Sequence, residues 1–225
     1  MIMFWLFSCS SMGDPAPQNQ VQASSPMAYL ALGDSYTIGE SVSAEASWPK
    51  QLQAALAAEH VELKDPEILA RTGWTTDELI TGIEEHELQE DYDLVSLQIG
   101  VNNQYRGYST DAYRLEFFQL VKIAVEFAGG DVEKVIVLSI PDWEMTPYAI
   151  DQDRLEIAAQ IDRFNDIAQE EAERVGVHYI NITPLSRMAI QEPDLIAKDG
   201  LHPSGIMYAQ WVDLALPIAY MILSP

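Results

Sequence analysis

Short apolar runs alternate with longer amphipathic segments along most of this chain. Five runs have the length and apolar character of β-strands: residues 28–32, 67–70, 94–99, 135–140 and 177–182. Five longer segments place apolar residues at helical spacing: residues 47–59, 75–86, 110–127, 153–175 and 203–220. Strands that alternate with helices predict parallel pairing through right-handed crossovers. We therefore expect one α/β domain, a three-layer α/β/α sandwich around a five-stranded parallel sheet.

Several residues at the ends of these segments support the assignment. Ser47 is placed to cap the first long helix, and Thr75 with Glu78 has the spacing of a capping box. Gly176 is typical of a helix C-terminus. Pro217 lies near the end of the last helical segment, and we expect it to distort that helix or end it early.

Composition and charge exclude some partners without identifying others. The chain has 225 residues, enough for one domain with a sizeable core, and shows no internal repeat or second domain. It is 48% hydrophobic and 21% charged, as globular proteins are. Its formal net charge of −23 repels nucleic acids and anionic lipid surfaces and favours neutral or cationic ligands. We expect no nucleic-acid partner.

The first 26 residues differ from the rest, and the boundary predicts a domain over residues 27–225. Residues 1–7 are apolar, and residues 12–26 are rich in Pro, Gln, Asn, Ala and Ser, as flexible tethers are. Cys9 is the single cysteine, so an intrachain disulfide is ruled out. The chain has no uninterrupted apolar run of about 18 residues, so we expect no membrane-spanning helix.

The segment around Cys9 resembles a bacterial lipobox, in which a small residue precedes a cysteine that is lipidated. This resemblance implies a signal remnant and an exported bacterial lipoprotein, on the periplasmic or cell-surface side of a membrane. Membrane attachment would then run only through the lipid anchor at Cys9. The match departs from the pattern because no Lys or Arg precedes the apolar run. Two alternatives stay open: a true start that lies upstream, or a leader with a chance cysteine.

Candidate site residues follow the first four predicted strands or precede the last predicted helix. In parallel sheets, ligands bind beyond the carboxyl ends of the strands, so these residues are expected to converge. They come from segments far apart in the chain: Ser35, Gly73, Asn102, Asn103, Asp142, Trp143, Asp199 and His202.

Three of these residues form the set needed for nucleophilic acyl transfer. The Ser35 hydroxyl is a poor nucleophile at neutral pH unless a base such as His202 takes its proton. Asp199, three residues before His202, would hold the imidazole in the required tautomer. The sequence therefore predicts Ser35, His202 and Asp199 as catalytic residues.

Four short blocks resemble those of the SGNH, or GDSL, serine hydrolases. They are Leu32-Gly33-Asp34-Ser35, Arg71-Thr72-Gly73, Gly100-Val101-Asn102-Asn103 and Asp199-Gly200-Leu201-His202. The resemblance implies the flavodoxin-like fold of that family and a serine esterase that forms an acyl-enzyme on Ser35. It also implies an oxyanion hole made by the Ser35 amide, the Gly73 amide and the Asn102 side chain. Neither a metal nor an organic cofactor is expected.

One position departs from the family pattern, which usually has Asp where this chain has Asn103. The family position is a supporting one, so the departure concerns hydrogen bonding around the site. Residues after the third and fourth strands are further candidates to line a substrate pocket, although loop packing explains them equally well: Asn103, Tyr105, Arg106, Asp142 and Trp143.

Each motif alone also has an ordinary structural explanation. Ser35 could cap a helix, Gly73 could form a turn and Asn102 an Asx-turn. Asp199 and His202 lack a third metal ligand at usable spacing, so a metal site is not expected. The function that the sequence predicts is that of an esterase, whose partner is a small-molecule ester. The alternatives are a carbohydrate O-acetyl esterase, or a catalytically silent, lipid-anchored binding protein.

Overall fold

The structure is a computed structural model that describes residues 1–2 and 25–224. The predicted lipidation site at Cys9 and most of the predicted tether lie outside the described residues, so both stay predictions.

Within residues 25–224, five strands form one sheet in the order β2-β1-β3-β4-β5, and every pair is parallel. The strands are β1 (Tyr29–Asp34), β2 (Glu67–Arg71), β3 (Leu94–Gln98), β4 (Val135–Leu138) and β5 (His178–Ile180). All residues of β1, β3 and β4 are buried, which is why their sequences are almost continuously apolar. The predicted five-stranded parallel sheet is confirmed.

Helices cover both faces of the sheet in the same part of the chain. They are α1 (Ser35–Ile38), α2 (Trp48–Ala58), α3 (Thr76–Glu85), α4 (Val101–Tyr105), α5 (Thr110–Phe127), α6 (Arg154–Val175), α7 (Thr183–Ser186) and α8 (Gly205–Leu223). Helices α2 and α8 pack together, and α5 packs against both α3 and α6. These contacts place two helical layers around the sheet, as predicted.

Three helix ends show how the predicted capping residues and the predicted effect of Pro217 compare with the structure. The capping box is confirmed, since the Thr75 amide donates to Glu78 Oε2 at 2.9 Å. Ser47 lies at the start of α2, but its hydroxyl donates to the Ala44 carbonyl at 2.8 Å instead of capping the helix. The expectation that Pro217 ends the last helix early is wrong, because α8 continues past it to Leu223.

Helix α8 is long and apolar enough to cross a membrane by length and composition. Its residues Tyr208, Trp211 and Ala215 are fully buried, and the helix packs on α2, β3 and β5. This burial explains the apolar character of one face of α8, whereas Ile206, Leu214, Tyr220 and Met221 of the same helix are exposed.

Candidate active site

Ser35 is positioned by the abrupt change from β1 to α1 at the carboxyl edge of the sheet. It is the first residue of α1, and the Asp34 side chain caps that helix by accepting the Tyr36 amide at 3.0 Å. Gly33 makes the change sterically feasible, since a Cβ there would lie 2.6 Å from the Gln98 carbonyl oxygen and collide with Thr37. Ser35 itself is only 4% exposed.

His202 lies next to Ser35 although 167 residues separate them. Its Nε2 is 3.0 Å from Ser35 Oγ, and the residue is 8% exposed. The Tyr36 ring packs against the imidazole with 5.1 Å between ring centroids. A neutral imidazole protonated at Nδ1 would accept the Ser35 hydroxyl proton at Nε2, which is the arrangement that a general base requires.

Asp199 completes this hydrogen-bond chain. Its Oδ2 lies 2.6 Å from His202 Nδ1, while its Oδ1 accepts the Leu201 and His202 amides at 3.0 Å each. The Ser41 hydroxyl also donates to Oδ2, at 2.6 Å. Partial burial opposes ionisation, but the hydrogen bonds from Ser41, His202 and the two amides hold the pKa of Asp199 well below its usual range. Asp199 is therefore ionised at neutral pH.

The predicted oxyanion donors are Gly73, in the turn after β2, and Asn102, in α4. Gly73 has a φ of +86°, a left-handed conformation that glycine adopts readily. The Asn102 Nδ2 group already donates to the Trp74 carbonyl at 3.0 Å and to Asp34 Oδ2 at 3.3 Å. Because Nδ2 carries two hydrogens, Asn102 can donate to an oxyanion only by exchanging one of these bonds.

Asp34 is the partner in the longer of the two bonds. It is 1% exposed, and burial raises its pKa to about 7, although hydrogen bonds from Tyr36 and Asn102 oppose that shift. Near neutral pH the Asp34 carboxyl thus takes both protonation states. Protonation weakens it as an acceptor and would ease the release of Asn102.

A cavity of about 100 Å³ opens beside Ser35. It is lined by Ser35, Tyr36, Val101, Asn102, Tyr105, Trp143, Tyr148, Leu201 and His202. The candidates Tyr105 and Trp143 are part of this lining. Ser35, His202 and Asn102 therefore face one shared cavity.

Two other pocket candidates, Asp142 and Arg106, make structural contacts outside the cavity lining. Asp142 accepts a hydrogen bond from Arg187 Nε at 2.9 Å and caps a short turn. Arg106 donates to the Gly73 carbonyl at 2.5 Å and to Glu78 at 3.1 Å. Arg106 thus holds the loop that carries the predicted oxyanion amide.

A model of the GDSL-like lipase/acylhydrolase family matches residues 31–210, most of the chain. The chain belongs to this family. It is therefore a hydrolase that acts on ester bonds. A search of curated proteins found no match.

Solved structures show the same fold at low sequence identity. TesA is 17% identical with a TM-score of 0.69, and the match covers 87% of this chain and 99% of TesA. A lipase/acylhydrolase from Enterococcus faecalis is 21% identical with a TM-score of 0.68, over 88% of this chain and 98% of that one. The acetylxylan esterase Axe2 from Geobacillus stearothermophilus is 18% identical with a TM-score of 0.64, over 89% and 95%.

Asn103, the departure from the usual pattern of GDSL-like hydrolases, is fully buried outside the cavity. Its Oδ1 accepts the Thr76 amide at 3.1 Å, and its Nδ2 donates to Thr76 Oγ1 at 2.7 Å. The Thr76 hydroxyl in turn donates to Glu116. An ionised Asp could not donate to Thr76, so the asparagine suits this arrangement.

Several residues around the site carry no sequence signal. Ser41 reaches Asp199 across 158 residues, and Tyr148 lies in a short turn, Pro147–Ala149, without periodicity. Among the described residues, no three His, Cys, Asp or Glu side chains are grouped as a metal site would need.

Proposed function

We propose that this chain hydrolyses carboxylic esters through an acyl-enzyme on Ser35. The observation that carries the proposal is the hydrogen-bond chain from Ser35 Oγ through His202 to Asp199, with contacts of 3.0 and 2.6 Å. This geometry matches the arrangement in which a serine, an imidazole and a carboxylate act together in acyl transfer.

In the first half of the reaction, Ser35 Oγ attacks the ester carbonyl and its proton moves to His202 Nε2. The imidazolium is stabilised by ionised Asp199, which keeps its own charge. His202 then gives the proton to the alcohol oxygen as the carbon–oxygen bond of the ester breaks. The alcohol leaves, and the acyl group stays on Ser35.

In the second half, a water molecule gives a proton to His202 and attacks the acyl carbonyl. The proton returns to Ser35 Oγ as the acid is released. In both halves the carbonyl oxygen becomes negatively charged. The Ser35 amide, the Gly73 amide and Asn102 Nδ2 would stabilise it, and losing one such donor typically costs about 10²–10³ in kcat.

A carbohydrate O-acetyl ester is a second candidate substrate. The cavity of about 100 Å³ suits a short acyl group, and its aromatic lining by Tyr105, Trp143 and Tyr148 suits the face of a sugar ring. The likeness to an acetylxylan esterase supports this candidate at the level of the fold. A hydrolysis screen of acetylated sugars beside simple aryl esters distinguishes a carbohydrate O-acetyl esterase from an esterase that acts on simple esters.

Turnover of p-nitrophenyl acetate tests the proposal. Ser35→Ala should lose activity by about 10⁴ or more, because the residues act as a unit. Ser43→Ala is the matched control, since the side chain of Ser43 does not cap the turn that follows it and the residue lies outside the cavity lining. A melting curve should show both variants folded. Activity of folded Ser35→Ala above about a tenth of wild type would remove Ser35 as nucleophile.

A catalytically silent binding protein is the alternative from another class. Such a protein would bind esters without reacting with a fluorophosphonate, which labels only an activated serine. Labelling of the wild type but not of Ser35→Ala would exclude the silent alternative.

We further propose that the chain is an exported lipoprotein held at a membrane through Cys9. The net charge of −23 offers little attraction to anionic lipids, which supports attachment by a lipid over attachment by the surface. Expressed with a complete signal, the wild type should pellet with membranes and incorporate labelled fatty acid, whereas Cys9→Ser should stay in the supernatant. An unlabelled wild type in the supernatant would contradict the anchor and leave the esterase proposal intact.

A further inference from the structure

We infer that two hydrogen-bonded tyrosines, Tyr105 and Tyr148, close the outer wall of the Ser35 cavity and restrict it to short acyl groups. The inference rests on the proposed esterase function and adds the residues that set chain-length specificity. Tyr105 OH and Tyr148 OH lie 3.0 Å apart, so a hydrogen bond joins them. We call this pair the tyrosine bridge.

The tyrosine bridge lies between buried chemistry and solvent. Both tyrosines line the cavity together with Ser35 and His202. Tyr105 is 56% exposed and Tyr148 is 46% exposed, against 4% for Ser35 and 8% for His202. The bridge therefore forms the solvent side of a cavity whose inner side holds the reacting groups.

Trp143 supports the tyrosine bridge from behind. Its ring meets those of Tyr105 and Tyr148 edge to face, with 5.6 and 5.9 Å between centroids. Trp143 is 5% exposed, and its Nε1 donates to Gln104 Oε1 at 2.8 Å. A buried, hydrogen-bonded indole fixes both phenol rings, so the bridge has a defined position.

The backbone connects the tyrosine bridge to α4, which carries Asn102, and to the segment between Asp199 and His202. Tyr105 ends α4, the helix that also carries Asn102. The Tyr148 amide donates to the Gly200 carbonyl at 3.0 Å, within the segment between Asp199 and His202. A chain that forced the two tyrosines apart would therefore strain the segments that hold the catalytic groups.

The size of the cavity decides which acyl groups fit behind the bridge. A single water needs at least about 10–15 Å³ and pockets for drug-sized ligands hold about 300–1,000 Å³, so a cavity of about 100 Å³ suits a small group. An acetyl group and its ester linkage fit within this space. A decanoyl chain exceeds this space and would have to extend beyond its solvent side, where the two tyrosines lie.

The experiment compares kcat/KM for p-nitrophenyl acetate and p-nitrophenyl decanoate. The wild type should favour acetate by about tenfold or more. Tyr148→Ala should raise the decanoate-to-acetate ratio by about tenfold or more, chiefly by lowering KM for decanoate. Tyr148→Phe keeps the ring and loses the hydrogen bond. Its decanoate-to-acetate ratio should therefore lie between those of the wild type and Tyr148→Ala.

Tyr220→Ala is the matched control, because Tyr220 is 42% exposed near the far end of α8. That residue lies about 22 Å along the helix axis from the start of α8, at about 1.5 Å for each residue. The decanoate-to-acetate ratio of kcat/KM for Tyr220→Ala should equal that of the wild type. Should Tyr148→Ala fail to fold, Tyr105→Ala takes its place with the same expectation.

Two results would overturn the inference. One is a wild type that hydrolyses decanoate as well as acetate, and the other is a folded Tyr148→Ala whose ratio stays within about twofold of the wild type. If the wild type reacts with a fluorophosphonate, either result removes the tyrosine bridge alone. If the wild type neither reacts with the fluorophosphonate nor hydrolyses either ester, the proposed function fails and the inference fails with it.

Discussion

The two sides of the site around Ser35 differ in how complete they are without substrate. On the proton-transfer side, formed by Ser35, His202 and Asp199, the hydrogen bonds that the proposed chemistry needs are in place at 3.0 and 2.6 Å. On the oxyanion side, formed by Gly73 and Asn102, the Asn102 amide is bound to Asp34 and the Trp74 carbonyl.

This difference follows from when each group acts. The proton-transfer side must hold one tautomer before any substrate arrives, and Asp199 fixes that tautomer. The oxyanion side is needed only once negative charge develops on the carbonyl oxygen. In the proposed mechanism its donors can keep other partners in the free protein, and substrate would compete for them.

The largest effect should come from the proton-transfer side. His202→Ala removes the group that moves the proton and should lower kcat by about 10⁴ or more. Asp199→Asn should be slower than the wild type but faster than His202→Ala, because Asp199 orients and stabilises His202. Steady-state kinetics on p-nitrophenyl acetate measure both. An Asp199→Asn variant as active as the wild type would point to a different carboxylate.

On the oxyanion side, Asn102→Ala should lower kcat by about 10²–10³ with a much smaller change in KM. The donor is needed mainly in the transition state, so ground-state binding should change little. Asn103→Ala is the neighbouring control and should lower kcat less, because Asn103 bonds to Thr76. A rise of about tenfold in KM at constant kcat would make Asn102 a substrate-binding residue.

Asp34 gives the oxyanion side a pH dependence of stability. Its pKa is about 7 in the folded protein against an ordinary value of 3.8, so the folded state binds a proton more tightly than the unfolded state. Stability should then fall as pH rises between about 4 and 7. The upper limit is about 1.4 kcal/mol for each pH unit.

Denaturant unfolding of the wild type and Asp34→Asn at several pH values between about 4 and 8 checks this expectation. The general repulsion among acidic groups is common to both proteins, so the difference between them isolates Asp34. Asp34→Asn should gain stability relative to the wild type as pH rises to about 7. A difference that stays constant with pH would contradict the raised pKa.

The smallest effect should come from Ser41, at the edge of the proton-transfer side. Its hydroxyl donates to Asp199 Oδ2 at 2.6 Å, and Ser41→Ala should lower kcat by no more than about tenfold. Losing this bond raises the pKa of Asp199 towards its ordinary value. That ordinary value still lies well below neutral pH, so Asp199 stays ionised and the loss of kcat should be the same at about pH 6 and pH 8. A kcat equal to that of the wild type would make the Ser41 contact dispensable.

The sequence predicts the fold and the position of Ser35 because parallel strands present their carboxyl ends at one edge. Asp199 and His202 precede α8 and do not follow a strand directly, so their approach to Ser35 is predicted by the chemistry that the three residues share and by the resemblance of their motifs. The almost continuous apolar character of β1 and β4 is enough to indicate that both faces of these strands are buried. The positions after such strands are therefore predictable candidates for a site.

The remaining contacts depend on tertiary structure that no local pattern encodes. Asp142 and Arg106 follow strands as Trp143 and Tyr105 do, yet they pair with Arg187 and Gly73 instead of lining the cavity. Tyr148 lines the cavity from a turn without periodicity. Spacing places a residue near the edge of the sheet, but packing decides the direction of its side chain.

The central claim is that Ser35 becomes acylated, and the mass of the protein tests it most directly. After incubation with a fluorophosphonate, the wild type should gain the mass of one adduct, and peptide mapping should locate it on Ser35. Ser35→Ala should gain none, and His202→Ala should react far more slowly because its serine lacks a base. An adduct on any other residue, or equal labelling of Ser35→Ala, would contradict the account.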